Sequence, residues 1–119
     1  MKAIILFAHG ARNPEWAQPI LAIRDAMLAR QPDVRVEAAF LEFIEPLLPT
    51  AIDTLASAGY TDIVIVPMFM AQSGHTKRDL PALLGAALDS HVGLSLHVAT
   101  PIGEAPTVVA AIADYALVA

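Results

Sequence analysis

Two histidines stand where a chain of this kind can place chemistry. His9 lies in Phe7-Ala8-His9-Gly10-Ala11-Arg12, and His75 in Gln72-Ser73-Gly74-His75-Thr76-Lys77-Arg78-Asp79. Each follows an apolar run, the first beginning at Met1 and the second being Ile63-Val64-Ile65-Val66. Neutral imidazole ligates transition metals, and histidine exchanges its proton near neutral pH. In an open α/β sheet the ligand crevice is built from the loops at the carboxyl ends of the strands. Two histidines past two such ends therefore point to one shared site for metal binding and proton transfer. Most metal sites take three or more protein ligands, so a pair leaves positions open for a substrate. Taken singly, each could be a loop histidine bonded to a carbonyl or exposed at a helix entry.

The neighbouring residue types extend this reading. Of seven basic residues, Arg12, Lys77 and Arg78 fall within three positions of a histidine, placing positive charge at the site of a chain with net charge −5. An anionic substrate requires that arrangement; each charge by itself reads first as an ordinary solvated one, and the three together favour the site. Gly10 allows a sharp turn and close backbone approach. Glu42, at the end of the second strand, can accept protons or contact a metal, or simply be solvated. Met68, Phe69, Met70 and Phe43 offer a soft apolar wall for a flat ligand, with core or subunit interface as the other use. His91, near a helix C-terminus, and His97, within a strand, read as structural.

The elements that must position these residues follow from periodicity. Strand one covers 2–8. A helix follows, opened by Asn13-Pro14-Glu15 with Asn as N-cap and an acid in the first turn. Its expected apolar stripe is Trp16, Ile20, Ile23 and Met27. Pro19 either kinks this helix or marks where its regular part begins. Strand two is Val34–Phe40. A second helix starts near Pro46, buries Leu48, Ile52 and Leu55, and stops at Gly59. Strand three covers 61–66, its run Ile63-Val64-Ile65-Val66 continuously apolar, as a central parallel strand should be. A long loop from Met68 to His75 follows, then a helix over 80–89 whose start is ambiguous. Thr76 to Asp79 has capping-box spacing, while Pro81 fits a first turn further on. Strand four covers 93–99, and a last helix 106–117.

The order βαβαβαβα predicts a single α/β domain over 1–119. It is an open four-stranded parallel sheet in the order 2-1-3-4 with helices on both faces. The topological switch then falls between strands one and three, the two strands that the histidines follow.

Composition narrows the functions. Hydrophobic residues make up 56% of 119, enough for a sheet buried on both faces. The acidic balance argues against nucleic acid and anionic membranes as partners. The stretch around Ile63–Ala71 is too short to span a bilayer, and the start does not read as a secretory signal. Without cysteine there is no disulfide, thiolate zinc site or thiol nucleophile, and the expected location is cytoplasmic. No Walker-type Gly-x-x-x-x-Gly-Lys-Ser/Thr occurs, and no Gly-x-Gly-x-x-Gly follows a strand. Nucleotide-driven and dinucleotide chemistry are therefore not expected, and a serine triad lacks its Gly-x-Ser-x-Gly elbow.

The chain resembles the small class II tetrapyrrole chelatases of the CbiX and sirohydrochlorin chelatase type. Four segments carry the resemblance: Leu6 through His9-Gly10 to Asn13-Pro14, Phe40-Leu41-Glu42, Val66-Pro67-Met68-Phe69-Met70 through Gly74-His75 to Leu80-Pro81, and Pro101-Ile102-Gly103. It implies a flavodoxin-like half of such an enzyme and a homodimer. The implied reaction is insertion of Co²⁺, Fe²⁺ or Ni²⁺ into sirohydrochlorin without ATP or a prosthetic group, cobalt being the first expectation. His9 and His75 would bind metal and accept protons, with Glu42 assisting. Met68 and Phe69 would hold the ring face, and Arg12, Lys77 and Arg78 its carboxylates. The chain departs from the family at Ala11, where serine is common, and after Gly103, where Glu104 stands in place of a frequent histidine. A non-catalytic metal or tetrapyrrole carrier is the alternative. A histidine phosphatase is a weaker one, because Ala8 stands where that class has arginine before His-Gly.

Overall fold

The computed structural model describes the backbone of residues 1–119 and every side chain except that of His75. Four strands, β1 (Lys2–Ala8), β2 (Arg35–Phe40), β3 (Asp62–Pro67) and β4 (Ser95–Val98), form one sheet in the order β2-β1-β3-β4. All three pairings are parallel, with Leu6 opposite Ala38 on one side and Val66 on the other. This is the expected topology. It arises because β1 is apolar on both faces: Ala3, Ile5 and Phe7 point one way, Leu6 and Ala8 the other, and all are buried.

Helices α1 (Gln18–Arg30), α2 (Leu48–Ser57), α3 (Gly74–Ser90) and α4 (Pro106–Val118) follow the four strands in turn. On one face α2 and α3 close a core of Ile5, Phe7, Leu48, Ile52, Leu55, Ile63 and Ile65, joined by Leu80 and Ala87. Each such buried aliphatic or aromatic side chain contributes roughly 1.5–3 kcal/mol relative to exposure. On the other face α1 packs over β1 and β2, burying Ile20 against Leu6, Val36, Ala38 and Phe40.

Two expectations need correction. Asn13 does cap, its side chain accepting the Glu15 N–H at 3.0 Å, but it opens a single turn of 3-10 helix over Pro14–Ala17. Pro19 then marks the first turn of α1. A 3-10 turn advances three residues per turn rather than 3.6. The buried stripe is consequently Ala17 and Ile20 with Leu21 and Met27 packed behind, whereas Trp16 and Ile23 face outward. The second correction concerns α3, which begins at Gly74 rather than near 80. Ser73 caps it, accepting the Thr76 N–H at 3.1 Å, and the two hydroxyls lie 2.8 Å apart. Thr76 is 1% exposed, so this cap is sealed into the protein. Pro81 consequently sits inside the helix. His75 belongs to a helical first turn instead of a long loop.

Candidate functional site

The site grows from the carboxyl ends of β1 and β3. Parallel pairing continues past both strands as main-chain hydrogen bonds. The Met68 N–H reaches the Phe7 carbonyl at 2.7 Å, the Leu41 N–H reaches Ala8 at 2.9 Å, and the Glu42 N–H reaches His9 at 3.1 Å. The loops after β1, β2 and β3 are thereby tied side by side, which brings the backbones of His9 and Glu42 together. Gly10 makes the approach possible. Its φ is +88°, and a Cβ there would stand 2.0 Å from the Glu42 carbonyl oxygen. Only glycine fits this contact.

Phe69 fixes the imidazole of His9. The two ring centroids are 4.3 Å apart with planes inclined by 33°. Behind it, Phe69 meets Phe7 edge-on at 5.7 Å, a geometry that contributes about 0.5–1.5 kcal/mol beyond area burial. Phe69 is only 6% exposed. It therefore turns into the core and backs His9, where an open wall for a ligand ring had been expected. Met68 is half-buried on the opposite face of the sheet and lines a hollow of about 270 Å³ with Ala8, His9, Gly10, Trp16, Ile20 and Phe40.

Trp16, like Ile23, is a residue that periodicity misassigned. It is 71% exposed at the rim of that hollow. The signal for its position lay in Asn13-Pro14, which starts a 3-10 turn and breaks the helical phase. A second groove, about 400 Å³, lies between the start of α2 and α3, lined by Leu41, Leu47, Leu48, Pro49, Asp79, Ala82 and Leu83.

Phe43 holds a backbone φ of 68°, a left-handed conformation unusual for a residue with a side chain. The loop is held there by the Ile44 N–H on the Glu42 carbonyl at 2.8 Å and the Phe40 N–H on Pro46 at 3.0 Å. The ring is 57% exposed, with the Arg12 guanidinium carbon 5.3 Å from its centroid. Such a cation–π contact contributes about 0.5–1 kcal/mol at an exposed site. Arg12 is thus oriented at the mouth of the β1 loop.

His75, Lys77 and Arg78 lie in the first two turns of α3. The backbone of His75 is described, while its imidazole lies outside the described residues. Lys77 and Arg78 are exposed, and the Arg78 Nε–H donates to the Gly74 carbonyl at 3.3 Å. A helix N-terminus adds partial positive charge to these two side chains. Glu42 is exposed. Among the described residues no three His, Asp or Glu side chains cluster as a metal site. His91 bonds Asp53 across α3 and α2 at 2.7 Å, a structural use, and His97 is exposed on β4.

The β4 loop closes the arrangement. The Gly103 N–H donates to the Phe69 carbonyl at 3.1 Å, and a Cβ on Gly103 would stand 2.0 Å from the Met70 carbonyl oxygen. The loop carrying Phe69 and Met70 is therefore clamped from β4 by backbone alone.

The open parallel sheet and a histidine-bearing crevice at its switch point define a protein of the class II chelatase fold. The CbiX family model matches residues 3–117, and the chain belongs to that family. A sirohydrochlorin cobaltochelatase from Sulfurisphaera tokodaii is 36% identical over 103 residues, covering 87% of this chain and 81% of its own length. One from Methanocaldococcus jannaschii is 35% identical over 91 residues, 76% of this chain. This chain spans 64% of the length of that relative. Among solved structures, a CbiX protein from Marinobacter aquaeolei VT8 superposes with a TM-score of 0.83 at 27% identity, covering 98% of this chain and 94% of its own. The sirohydrochlorin chelatase SirB from Bacillus subtilis subspecies spizizenii, solved with cobalt, gives a TM-score of 0.78 at 27% identity. It covers 95% of this chain, which corresponds to 48% of SirB.

No helix of the structure is long and apolar enough to cross a membrane.

Proposed function

We propose that this protein inserts a divalent metal ion into a sirohydrochlorin-type tetrapyrrole without ATP, cobalt being the first expected metal and Fe²⁺ or Ni²⁺ the others. The observation that carries the reading is the backed and exposed His9 at the switch point of a CbiX-family sheet. The reaction is an exchange in which M²⁺ enters the macrocycle as two pyrrole N–H protons leave. Imidazole nitrogen suits first-row ions such as Co²⁺, Fe²⁺ and Ni²⁺, whereas Mg²⁺ prefers oxygen. His9 and His75 hold the incoming ion with positions left open to the ring nitrogens. As the ion transfers, a histidine or Glu42 takes up the departing protons. A positioned base of this kind typically contributes about 10²–10⁴-fold.

The surroundings fit such a substrate. Trp16, Phe43, Met68 and Met70 give apolar and aromatic surface around the crevice. Arg12, Lys77 and Arg78 supply cations for peripheral carboxylates, in charge-assisted bonds about twice as strong as neutral ones. No group held permanently by the protein is needed, because the metal is itself a substrate. We place one chelatase lobe over residues 1–119 and expect a homodimer, supported by the correspondence to about half of SirB. Nucleic acid and membrane are not expected partners. The reaction is placed in the cytoplasm, which fractionation of source cells tests.

The deciding experiment is anaerobic incubation with sirohydrochlorin and Co²⁺, Fe²⁺ or Ni²⁺ in turn, following the macrocycle's absorption. Turnover above the spontaneous rate, abolished in His9→Ala and His75→Ala, is the expected result. Tetrapyrrole or metal binding without turnover for every ion would replace the enzyme by a carrier.

A further inference from the structure

Phe43 holds a backbone conformation that core packing does not explain. The Ile44 N–H donates to the Glu42 carbonyl at 2.8 Å around a Phe43 φ of 68°. This is the positive-φ form of the γ-turn, which is rare and strained. Such a conformation persists only where its surroundings over-determine it. Both flanks of the turn are pinned here. The Glu42 N–H is held by the His9 carbonyl, the Phe40 N–H by that of Pro46, and Gly10 stands against the Glu42 carbonyl oxygen. The core gains little, because the ring is 57% exposed. What the turn achieves is to bring that ring to Arg12, whose guanidinium carbon lies over it, 5.3 Å from the centroid. Reversing the sign of φ would redirect the Cα–Cβ bond, so this meeting depends on the strained turn.

A guanidinium resting over a ring face keeps the N–H groups at its rim free for acceptors. Those donors form a planar, rigid fork that matches a carboxylate. Among the described residues no oxygen takes a donor from Arg12, whereas Arg24 is bonded to Asp25, Arg35 to Glu37 and Arg78 to the Gly74 carbonyl. Lys77 is exposed, and an ammonium on a flexible stem carries charge with little direction. Of the three cations around the crevice, Arg12 is therefore the one with an oriented and uncommitted fork. It stands three residues past His9, at the mouth of the same site.

We infer that Phe43 is a positioning residue for Arg12, and that the pair selects tetrapyrroles bearing an ionised carboxylate on the edge that meets the β1 and β2 loops. The carboxylate accepts two N–H bonds from the guanidinium, while the phenyl face holds the fork against rotation. A ring esterified at that edge forfeits the charge-assisted bonds, and with them whatever Phe43 contributes. The selectivity rests on the reading of this crevice as a tetrapyrrole site; the posture of Arg12 does not.

That posture is measured first, by NMR on the protein alone. The ring current of Phe43 should shift the Arg12 Nε–H proton, Phe43→Leu should abolish the shift, and Phe43→Tyr should keep it. The same resonance position in wild type and Phe43→Leu would overturn the inference, whatever the protein binds. Sirohydrochlorin and its methyl ester are then titrated without metal, following the macrocycle's absorption. For the free acid, Phe43→Leu should weaken binding about fivefold, the ratio matching an exposed cation–π contact. Arg12→Lys should weaken it at least as much despite its retained charge, and Phe43→Tyr should restore wild-type binding. For the ester, wild type and Phe43→Leu should agree within about twofold, the mark of two groups acting through one contact. In turnover the loss should appear in KM rather than kcat. Equal losses for acid and ester would make Phe43 a ring contact in its own right and overturn the selectivity. No binding of sirohydrochlorin by the wild type, with the Arg12 shift present, would overturn the tetrapyrrole reading and the selectivity with it, and leave the posture of Arg12 standing.

Discussion

The imidazole of His9 rests against the ring of Phe69, their centroids 4.3 Å apart, while Phe69 itself is held edge-on by Phe7. A buried aromatic thus carries orientation from the core to an exposed histidine. Replacing Phe69 by leucine keeps most of the volume, so the stability cost should stay near 1 kcal/mol. Imidazole aim should suffer more, and we expect insertion to slow about 10–100-fold, the range for small misplacement of a reacting group. Urea unfolding and anaerobic turnover measure the two effects separately. An unchanged kcat in Phe69→Leu would remove Phe69 from any positioning role.

Gly10→Ala meets two penalties, a φ of +88° and a Cβ driven onto the Glu42 carbonyl. Stability should fall by more than ~1 kcal/mol. The β2 loop must also move away from His9, so turnover should fall with stability. The measurement is thermal unfolding beside insertion rate. Gly103→Ala, against Met70, should behave alike through the β3 loop.

Ser73→Ala removes the cap of α3 and a partner of buried Thr76. Such caps contribute about 0.5–2 kcal/mol, and the turn that frays carries His75. We expect both stability and turnover to drop, and Ser73→Thr to restore both. His75→Ala should differ by abolishing most turnover while leaving the unfolding midpoint within error. Full activity in His75→Ala would strip it of its assigned role.

Trp16→Ala removes a large exposed side chain from the hollow beside His9. Exposed substitutions change stability by about 0.5 kcal/mol or less. If the indole meets the macrocycle, KM should rise about tenfold with kcat nearly constant, the pattern of lost uniform binding. An unchanged KM would leave Trp16 outside the substrate surface.

At Phe43 the signs oppose each other. Glycine relieves the left-handed backbone at φ 68°, whose cost is of order 1 kcal/mol, but deletes the ring beneath Arg12. Phe43→Gly should unfold at equal or higher urea concentration and bind sirohydrochlorin more weakly. Tighter binding in that variant would show that the ring obstructs the crevice.

Much of this protein was legible from residue order. Continuous apolar runs, Ala3–Ala8 within strand one and Ile63–Val66 within strand three, determined a buried parallel sheet, and β1 spans the expected residues 2–8. Leu48, Ile52 and Leu55, spaced for one helical face, are fully buried. The placement of His9 past β1 needed only the strand end after Ala8, because in parallel sheets all strand ends with one sense lie on one edge.

Other features were decided only in three dimensions. Whether Trp16 points in or out depends on one 3-10 turn, Pro14–Ala17, which shifts the helical phase before α1 begins. Phe69 and Met70 are adjacent and both apolar, yet one is buried and the other exposed, because alternation does not say which side a loop residue takes. Gly10 and Gly103 are glycines for the sake of carbonyls at Glu42 and Met70, distant in sequence. Helix α4, 84% exposed at both Leu117 and Val118, is the clearest case. Its apolar composition requires burial, whereas the chain's own turn at Gly103 directs it elsewhere. Local sequence determines that a face must be covered; long-range geometry alone determines by what.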